Sequence, residues 1–136
     1  MLKIAFDKIF KHPLDKNHRF PMAKYELLPE QLLIEGTCST NNFFSPSDID
    51  EKVILETHSS EYYQRLTNFQ LDKKELRAIG FPMSQKLIER EKKIVQGTIE
   101  CALNSKRDYL LLRTEAEVRP FAYHLGYLNR HHRLHR

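Results

Sequence analysis

A long amphipathic stretch at residues 79–103 constrains the fold of this chain more than any other feature. It opens on a Gly-Phe-Pro-Met turn, and Ser84 then stands where a side-chain oxygen can cap the first turn of a helix. Charged residues 89–93 fill most positions outside the apolar face. Gly97 costs a helix about 1 kcal/mol relative to alanine, so we expect the backbone there to lie close against another element. The apolar residues recur at spacings of three, four and seven, which is typical of one helical face: Leu87, Ile88, Ile94, Val95, Ile99, Ala102 and Leu103.

Short apolar runs alternate with helical patterns along the rest of the chain. Residues 2–6, 43–44 and 109–112 are apolar enough for strands, and the segments between them carry helical spacing. This alternation predicts an α/β fold with a parallel sheet flanked by helices and right-handed crossovers. In such a sheet the chemistry lies on loops beyond the strand ends. Here these are residues 12–19, the turn before the long helix and the segment after residue 112.

Local signals predict where several helices begin and end. Pro29 should break a helix and restart a second one, which Gly36 then closes. Ser59 is placed to cap the next helix. Asp72 and Glu75 have the spacing of a capping box, so another helix should begin there and end before the Gly-Phe-Pro-Met turn.

Composition indicates an ordinary globular protein. The 136 residues are enough for one domain, and no apolar run approaches the roughly 18 residues of a membrane span. The N-terminus lacks the pattern of a signal peptide. Cys38 and Cys101 have no metal-site spacing, so we interpret them as thiols in a reducing cytoplasm. The net charge of +4 is weak evidence for an acidic partner.

The last quarter of the chain differs in composition from the rest. Its periodic pattern ends at residue 112, and arginine and histidine become frequent. We therefore divide the chain into residues 1–112 and an irregular basic tail, residues 113–136. The tail carries Arg113, Arg119, Arg130, Arg133 and Arg136 together with His124, His131, His132 and His135.

Three segments in series carry a family resemblance. They are HPLDKNHRFPMAKYELL at 12–28, THSSEYYQRL at 57–66 and ELRAIGFPMSQKLIEREKKIVQGTIECAL at 75–103. In this order and spacing they resemble the N-terminal part of the histone deacetylase superfamily, in particular its bacterial and class IV-like branch related to acetoin-utilisation and acetylpolyamine deacetylases. The resemblance covers about residues 3–112. It implies a truncated arginase-like parallel sheet. It also implies a hydrolase that uses zinc to remove acetyl groups from acetyl-lysine or acetylpolyamine.

The resemblance also implies roles for individual residues. Arg19 matches the arginine that lines the internal channel by which acetate leaves, where an anionic product requires a permanently charged guanidinium. His12 and His18 lie on the loop beneath the same site, and we interpret both as structural histidines. The rim loop beside the substrate tunnel is matched by Phe81, Pro82 and Met83.

The family's catalytic motifs have no counterpart in this sequence. In the family, two aspartates and a histidine hold a metal, a tandem histidine pair moves protons and a tyrosine stabilises the oxyanion. The pair His131-His132 lacks the preceding Gly-Gly-Thr, and no Asp-x-His motif follows it. We therefore assign no catalytic residue and no metal ligand. We expect the chain to bind no zinc and to be inactive as it stands.

Several interpretations of the tail remain open. The chain is a fragment or carries a frame disruption near residue 112, or it is a genuine short binding module whose basic tail contacts nucleic acid or another anion. A weaker third interpretation is adventitious metal capture by the tail histidines. An unpaired strand edge at 109–112 would also favour self-association.

Overall fold

The computed structural model describes residues 2–108, and this part of the chain is mostly helical. Its five α-helices and two strands occur in the order β1 (Ile4–Ala5), α1 (Lys24–Ile34), β2 (Phe43–Phe44), α2 (Glu51–Leu55), α3 (Ser60–Thr67), α4 (Lys73–Ile79) and α5 (Gln85–Asp108). Two 3₁₀ turns, Lys8–Phe10 and Thr40–Asn42, lie between β1 and β2. Within residues 2–108, none of these helices has the length and apolar character that crossing a bilayer requires.

The predicted fold class is wrong. The described residues form helices and one two-stranded sheet, which is not an arginase-like or deacetylase-like α/β fold. Ile4 pairs with Phe43 and Ala5 with Phe44, in parallel. Short apolar runs are compatible with strands, but a strand persists only where neighbouring strands pair its backbone groups, and here each run pairs over two residues. The predicted strand at 109–112 and the tail at 113–136 lie outside the described residues.

The described chain divides into two compact units, residues 2–50 with 85–108 and Glu51–Ser84. In the first unit, α5 packs against β1 and against the turn Lys8–Phe10. The buried apolar side chains of that unit are Phe10, Met22, Pro46, Leu87 and Ile88. Those of the second unit are Tyr63, Leu66 and Leu71.

The predicted helix ends of the second unit are confirmed. Ser59 accepts a hydrogen bond from the N–H of Tyr62 and so caps α3. Asp72 and Glu75 form a reciprocal capping box at the start of α4. Gly80 ends α4 in the left-handed conformation, with φ of 73°. These ends depend on contacts within a few residues, which is why the sequence predicts them.

The predicted break at Pro29 is wrong, because α1 continues through it. A proline inside a helix removes one hydrogen bond to the carbonyl four residues earlier, and the rest of this helix is formed around that loss. The predicted end at Gly36 is confirmed. Its φ is 69°, and the N–H groups of Gly36 and Thr37 donate to the carbonyls of Leu33 and Leu32.

The long helix predicted from the apolar spacing is confirmed as α5, and Gly97 marks its closest approach to the rest of the first unit. A Cβ atom on Gly97 would lie 2.9 Å from Cγ of Pro46 and 3.2 Å from Cβ of Ala5. The side chain of Pro46 is fully buried, so it has little room to move away. The expected close contact at Gly97 is therefore confirmed.

We expect Gly97→Ala to lower the free energy of unfolding by about 1 kcal/mol. Overpacking costs about 1–3 kcal/mol, which exceeds the roughly 1 kcal/mol gained in helix propensity. Urea unfolding followed by circular dichroism measures the change. In a Pro46→Ala background the same substitution should be neutral or stabilising, because the clashing ring is gone. An equal loss in both backgrounds would contradict the assigned contact.

Phe69, directly after the cap of α3, is the one non-glycine residue with a positive φ among residues 2–108, at 59°. Its N–H donates to the carbonyl of Leu66, and the N–H of Gln70 donates to that of Arg65. Glycine or asparagine usually occupies such a left-handed helix end. The Phe69 side chain is 52% exposed, so the free energy gained by burying it offsets only part of the cost of the left-handed backbone conformation.

We expect Phe69→Asn to raise the free energy of unfolding by about 1 kcal/mol, because asparagine tolerates the left-handed conformation. Thermal and urea unfolding would report the gain. Phe69→Ala is the matched control, since it removes the ring but keeps the backbone cost. Equal effects of the two substitutions would mean that the ring, and not the backbone, determines the change.

Candidate functional site

Arg90 on α5 is a deeply buried charged residue, with 2% of its surface exposed. Its Nε donates to the carbonyl oxygen of Phe10 at 2.6 Å, and its Nη1 donates to the carboxylate of Glu91. The guanidinium carbon lies 5.1 Å from the ring centroid of Tyr25, within the range of a cation–π interaction. Residues from α5, the turn Lys8–Phe10 and the start of α1 therefore surround one positive charge.

Helical spacing explains why this arginine is buried. Arg90 lies three residues after Leu87 and four before Ile94, so it shares the inward face of α5 with them. The charged run was expected to lie outside the apolar face, and for Arg90 this is wrong. The signal was present in the spacing, but arginine is rarely buried unless its charge is paired. The partner carbonyl comes from a residue 80 positions away, which the sequence does not reveal.

Burial and ion pairing shift the pKa values of Arg90 and Glu91 in opposite directions. Burial lowers the pKa of Arg90 and raises the pKa of Glu91, while the attraction between the two counteracts both shifts. The ordinary pKa of a guanidinium is so high that Arg90 stays protonated at neutral pH. Removing one partner of such a pair would leave the other buried without compensation.

Two further polar groups border the guanidinium. Burial lowers the pKa of His12, and the charges of Arg90 and Lys86 lower it further, so the imidazole is neutral at pH 7. Tyr25 packs edge-on against Phe10, and its hydroxyl is buried without a hydrogen-bond partner in the described part of the chain. The charge of the guanidinium is paired with the Glu91 carboxylate, and the neutral imidazole and the phenol hydroxyl are further polar groups beside that pair. We call Arg90, Glu91, His12 and Tyr25 the Arg90 cluster.

The residues with roles predicted from the sequence differ in their exposure and in the unit to which they belong. His12 belongs to the Arg90 cluster and is 5% exposed, whereas Arg19 is exposed. His18 accepts a hydrogen bond at Nδ1 from the N–H of Phe20 at 3.2 Å, in agreement with a structural role. The predicted rim loop lies in the second unit, between α4 and α5. Pro82 is exposed there, and its two neighbours are half-buried.

Polar residues of the second unit form a separate group. The ring of His58 lies 5.6 Å from that of Tyr62, and burial lowers the pKa of His58. Arg65 donates two hydrogen bonds of 2.8 Å to the carboxylate of Glu75 and so joins α3 to α4. These contacts give the THSSEYYQRL segment a structural role within its own unit.

The described residues do not fit the zinc that the resemblance implies. Among them, no group of three histidine, cysteine, aspartate or glutamate side chains lies close enough to hold a metal ion. His12 is the one histidine of the Arg90 cluster, and it lies beside the positive charges of Arg90 and Lys86, which disfavour a cation. We therefore derive no chemical step through zinc from this part of the chain. The tail histidines lie outside the described residues.

The comparisons with known proteins show a similarity to another protein but no family. No family model matches the chain. The chain is similar to an uncharacterised protein of the cyanobacterium Picosynechococcus sp., with 32% identity over 96 residues. The match covers 71% of this chain and 32% of the relative. The chain thus spans about a third of the length of the curated relative that it matches.

We expect Arg90→Met to lower the free energy of unfolding by about 3–5 kcal/mol, because it leaves the Glu91 carboxylate buried and unpaired. Urea unfolding measures the loss. The double variant Arg90→Met/Glu91→Gln should recover at least half of it, because the uncompensated charge is then removed. Equal losses in the single and double variants would show that packing of the arginine side chain, and not its charge, matters here.

We expect the chain to lose stability as the pH falls below about 6.5, the ordinary pKa of histidine. His12 and His58 both have lowered pKa values in the folded state, so the unfolded chain takes up their protons first and is favoured. The contribution is fully present above that pH and is lost below it. Urea midpoints between pH 7.5 and 5 measure the slope. His12→Gln should reduce the slope, and an unchanged slope would contradict the assigned burial.

Proposed function

We propose that residues 1–112 are the N-terminal part of a histone deacetylase family protein, whose ancestral chemistry is zinc-dependent hydrolysis of acetyl amides. The observation that carries this proposal is the series of three segments at 12–28, 57–66 and 75–103, which resemble the family in order and spacing. The substrates implied are acetylated amines, either acetyl-lysine or acetylpolyamine.

The packing of the first segment against the third also supports this proposal. His12 and Tyr25 come from the first segment and Arg90 from the third, and in the folded chain they surround one buried guanidinium. In this proposal, Arg19 belongs to the product channel and the Phe81-Pro82-Met83 turn to the substrate rim.

By itself the chain is proposed to be inactive. Neither the Gly-Gly-Thr-His-His motif nor the Asp-x-His motif of the family occurs in the sequence, so the proton-transfer pair and the metal ligands have no counterpart. An alternative is a non-catalytic binding module. The five arginines and four histidines of residues 113–136 favour it, because such a basic segment binds phosphate groups of nucleic acid or another anion.

The proposal also includes the cellular location of the chain and its self-association. A cytoplasmic location is supported by Cys38 and Cys101, which are free thiols in the structure. Self-association of the chain is supported by the apolar Tyr-Leu-Leu-Leu sequence at 109–112, which lies outside the described residues.

The test compares this chain with its cyanobacterial relative. Both are purified with zinc and assayed on an acetyl-lysine reporter and on an acetylpolyamine. We expect hydrolysis by the relative that a chelator abolishes, because the relative has about three times the matched length. We expect no turnover by this chain, because it lacks the two catalytic motifs.

Each outcome decides one part of the proposal. If the relative hydrolyses neither substrate, the family proposal is wrong. If this chain alone shows chelator-sensitive turnover, the proposed inactivity is wrong. Salt-sensitive binding of duplex DNA by the full chain, lost on removal of residues 113–136, would support the alternative.

A further inference from the structure

Helix α1 carries apolar side chains on two opposite sides. Tyr25 and Leu32 are seven residues apart, so they share one side of the helix, and Tyr25 contacts Phe10 on that side. Leu27 and Ile34 are also seven residues apart, and each follows a member of the first pair by two positions. Two positions correspond to a rotation of about 200°, so the second pair lies on the opposite side.

This second side is uncovered. Ile34 is 79% exposed and Leu27 is 60% exposed, more than any other large apolar side chain in residues 2–104. Leu28 and Leu33, at 45% and 38% exposed, lie on the two flanks between these sides, and α1 contains no buried residue. We call Leu27 and Ile34 the outer face of α1.

A helix of this kind normally lies between two layers of protein. A surface helix presents charged residues to water, whereas apolar residues on both sides are typical of a buried helix. In the first unit α1 packs on its Tyr25 side against the turn Lys8–Phe10.

The charges around the outer face indicate the chemistry of its partner. Glu30 and Glu35 are exposed beside it, and Gln31 donates to Glu35 at 2.7 Å. In an antiparallel pair of α1 helices from two copies, Glu30 would lie near the twofold axis and face its own copy, which is unfavourable. A partner with an apolar groove and basic residues at its edge is complementary.

We propose that the outer face of α1 is a docking surface for a polypeptide equivalent to the unmatched two thirds of the cyanobacterial relative. The matched residues make up 32% of that protein, so a chain of this kind occurs there together with about twice as much additional polypeptide. That polypeptide is the source of a second layer over α1. The inference concerns packing alone and does not depend on deacetylase activity.

The experiment co-expresses this full chain with the part of the relative outside the 96 matched residues, carrying an affinity tag. We expect a one-to-one complex by size-exclusion chromatography with light scattering. Leu27→Glu and Ile34→Glu should each weaken binding at least tenfold in Kd. Leu103→Glu is the matched control, because Leu103 is 57% exposed on α5 and should leave binding unchanged.

Every outcome of this experiment decides the proposal. If the tagged partner is insoluble alone, we expect co-expression with this chain to bring it into solution, and continued insolubility would overturn the proposal. Equal binding by the control and the two α1 variants would also overturn it. A dimer of this chain alone that Leu27→Glu dissociates would assign the face to a second copy instead. Circular dichroism of each variant checks that it is folded.

Discussion

The packing of α5 against the N-terminal residues is the interaction on which the first unit depends. Gly97 lets the helix backbone approach Pro46 and Ala5 more closely than any side chain would permit. One turn of helix further on, Glu100 accepts hydrogen bonds from both the N–H and the hydroxyl of Ser47, the residue after Pro46. Towards the start of the helix, Arg90 binds the carbonyl of Phe10. One helix thus holds both strand ends and the first 3₁₀ turn.

The burial of Arg90 has a cost that its surroundings offset. A guanidinium taken out of water must keep its hydrogen bonds, and the Phe10 carbonyl, the Glu91 carboxylate and the Tyr25 ring supply partners. Glu91 is adjacent to Arg90 in the sequence, but Phe10 and Tyr25 are far from it. The cluster therefore forms only when the unit is folded. The contacts that compensate this buried charge also fix the helix in place.

The short sheet and the exposed side of α1 have one explanation: few elements of the first unit pack against either of them. Two residues of pairing satisfy few backbone groups, and one layer of contacts covers one side of a helix. The described residues therefore leave the outer face of α1 exposed. The short sheet and this exposed face fit a chain whose relative is about three times as long as the matched region.

The sequence by itself determined the features that depend on neighbouring residues. The caps at Ser59 and Asp72, the helix end at Gly36 and the long helix around Gly97 follow from interactions within one or two turns, and all are confirmed. The first of the three motif segments also contains His12, but the residues that surround His12 in the folded chain could not be derived from spacing.

Tertiary structure alone decided the rest. An apolar run becomes part of a sheet only where neighbouring strands pair with it. Ile4 and Ala5 pair with Phe43 and Phe44 over two residues only, so the prediction of an arginase-like parallel sheet is wrong. Whether an arginine at helical spacing points inward depends on a distant carbonyl and an aromatic ring, as Arg90 shows. Local hydrogen bonds depend on consecutive residues and can be predicted from them. Burial depends on which distant segments come into contact, and residue spacing alone does not reveal those contacts.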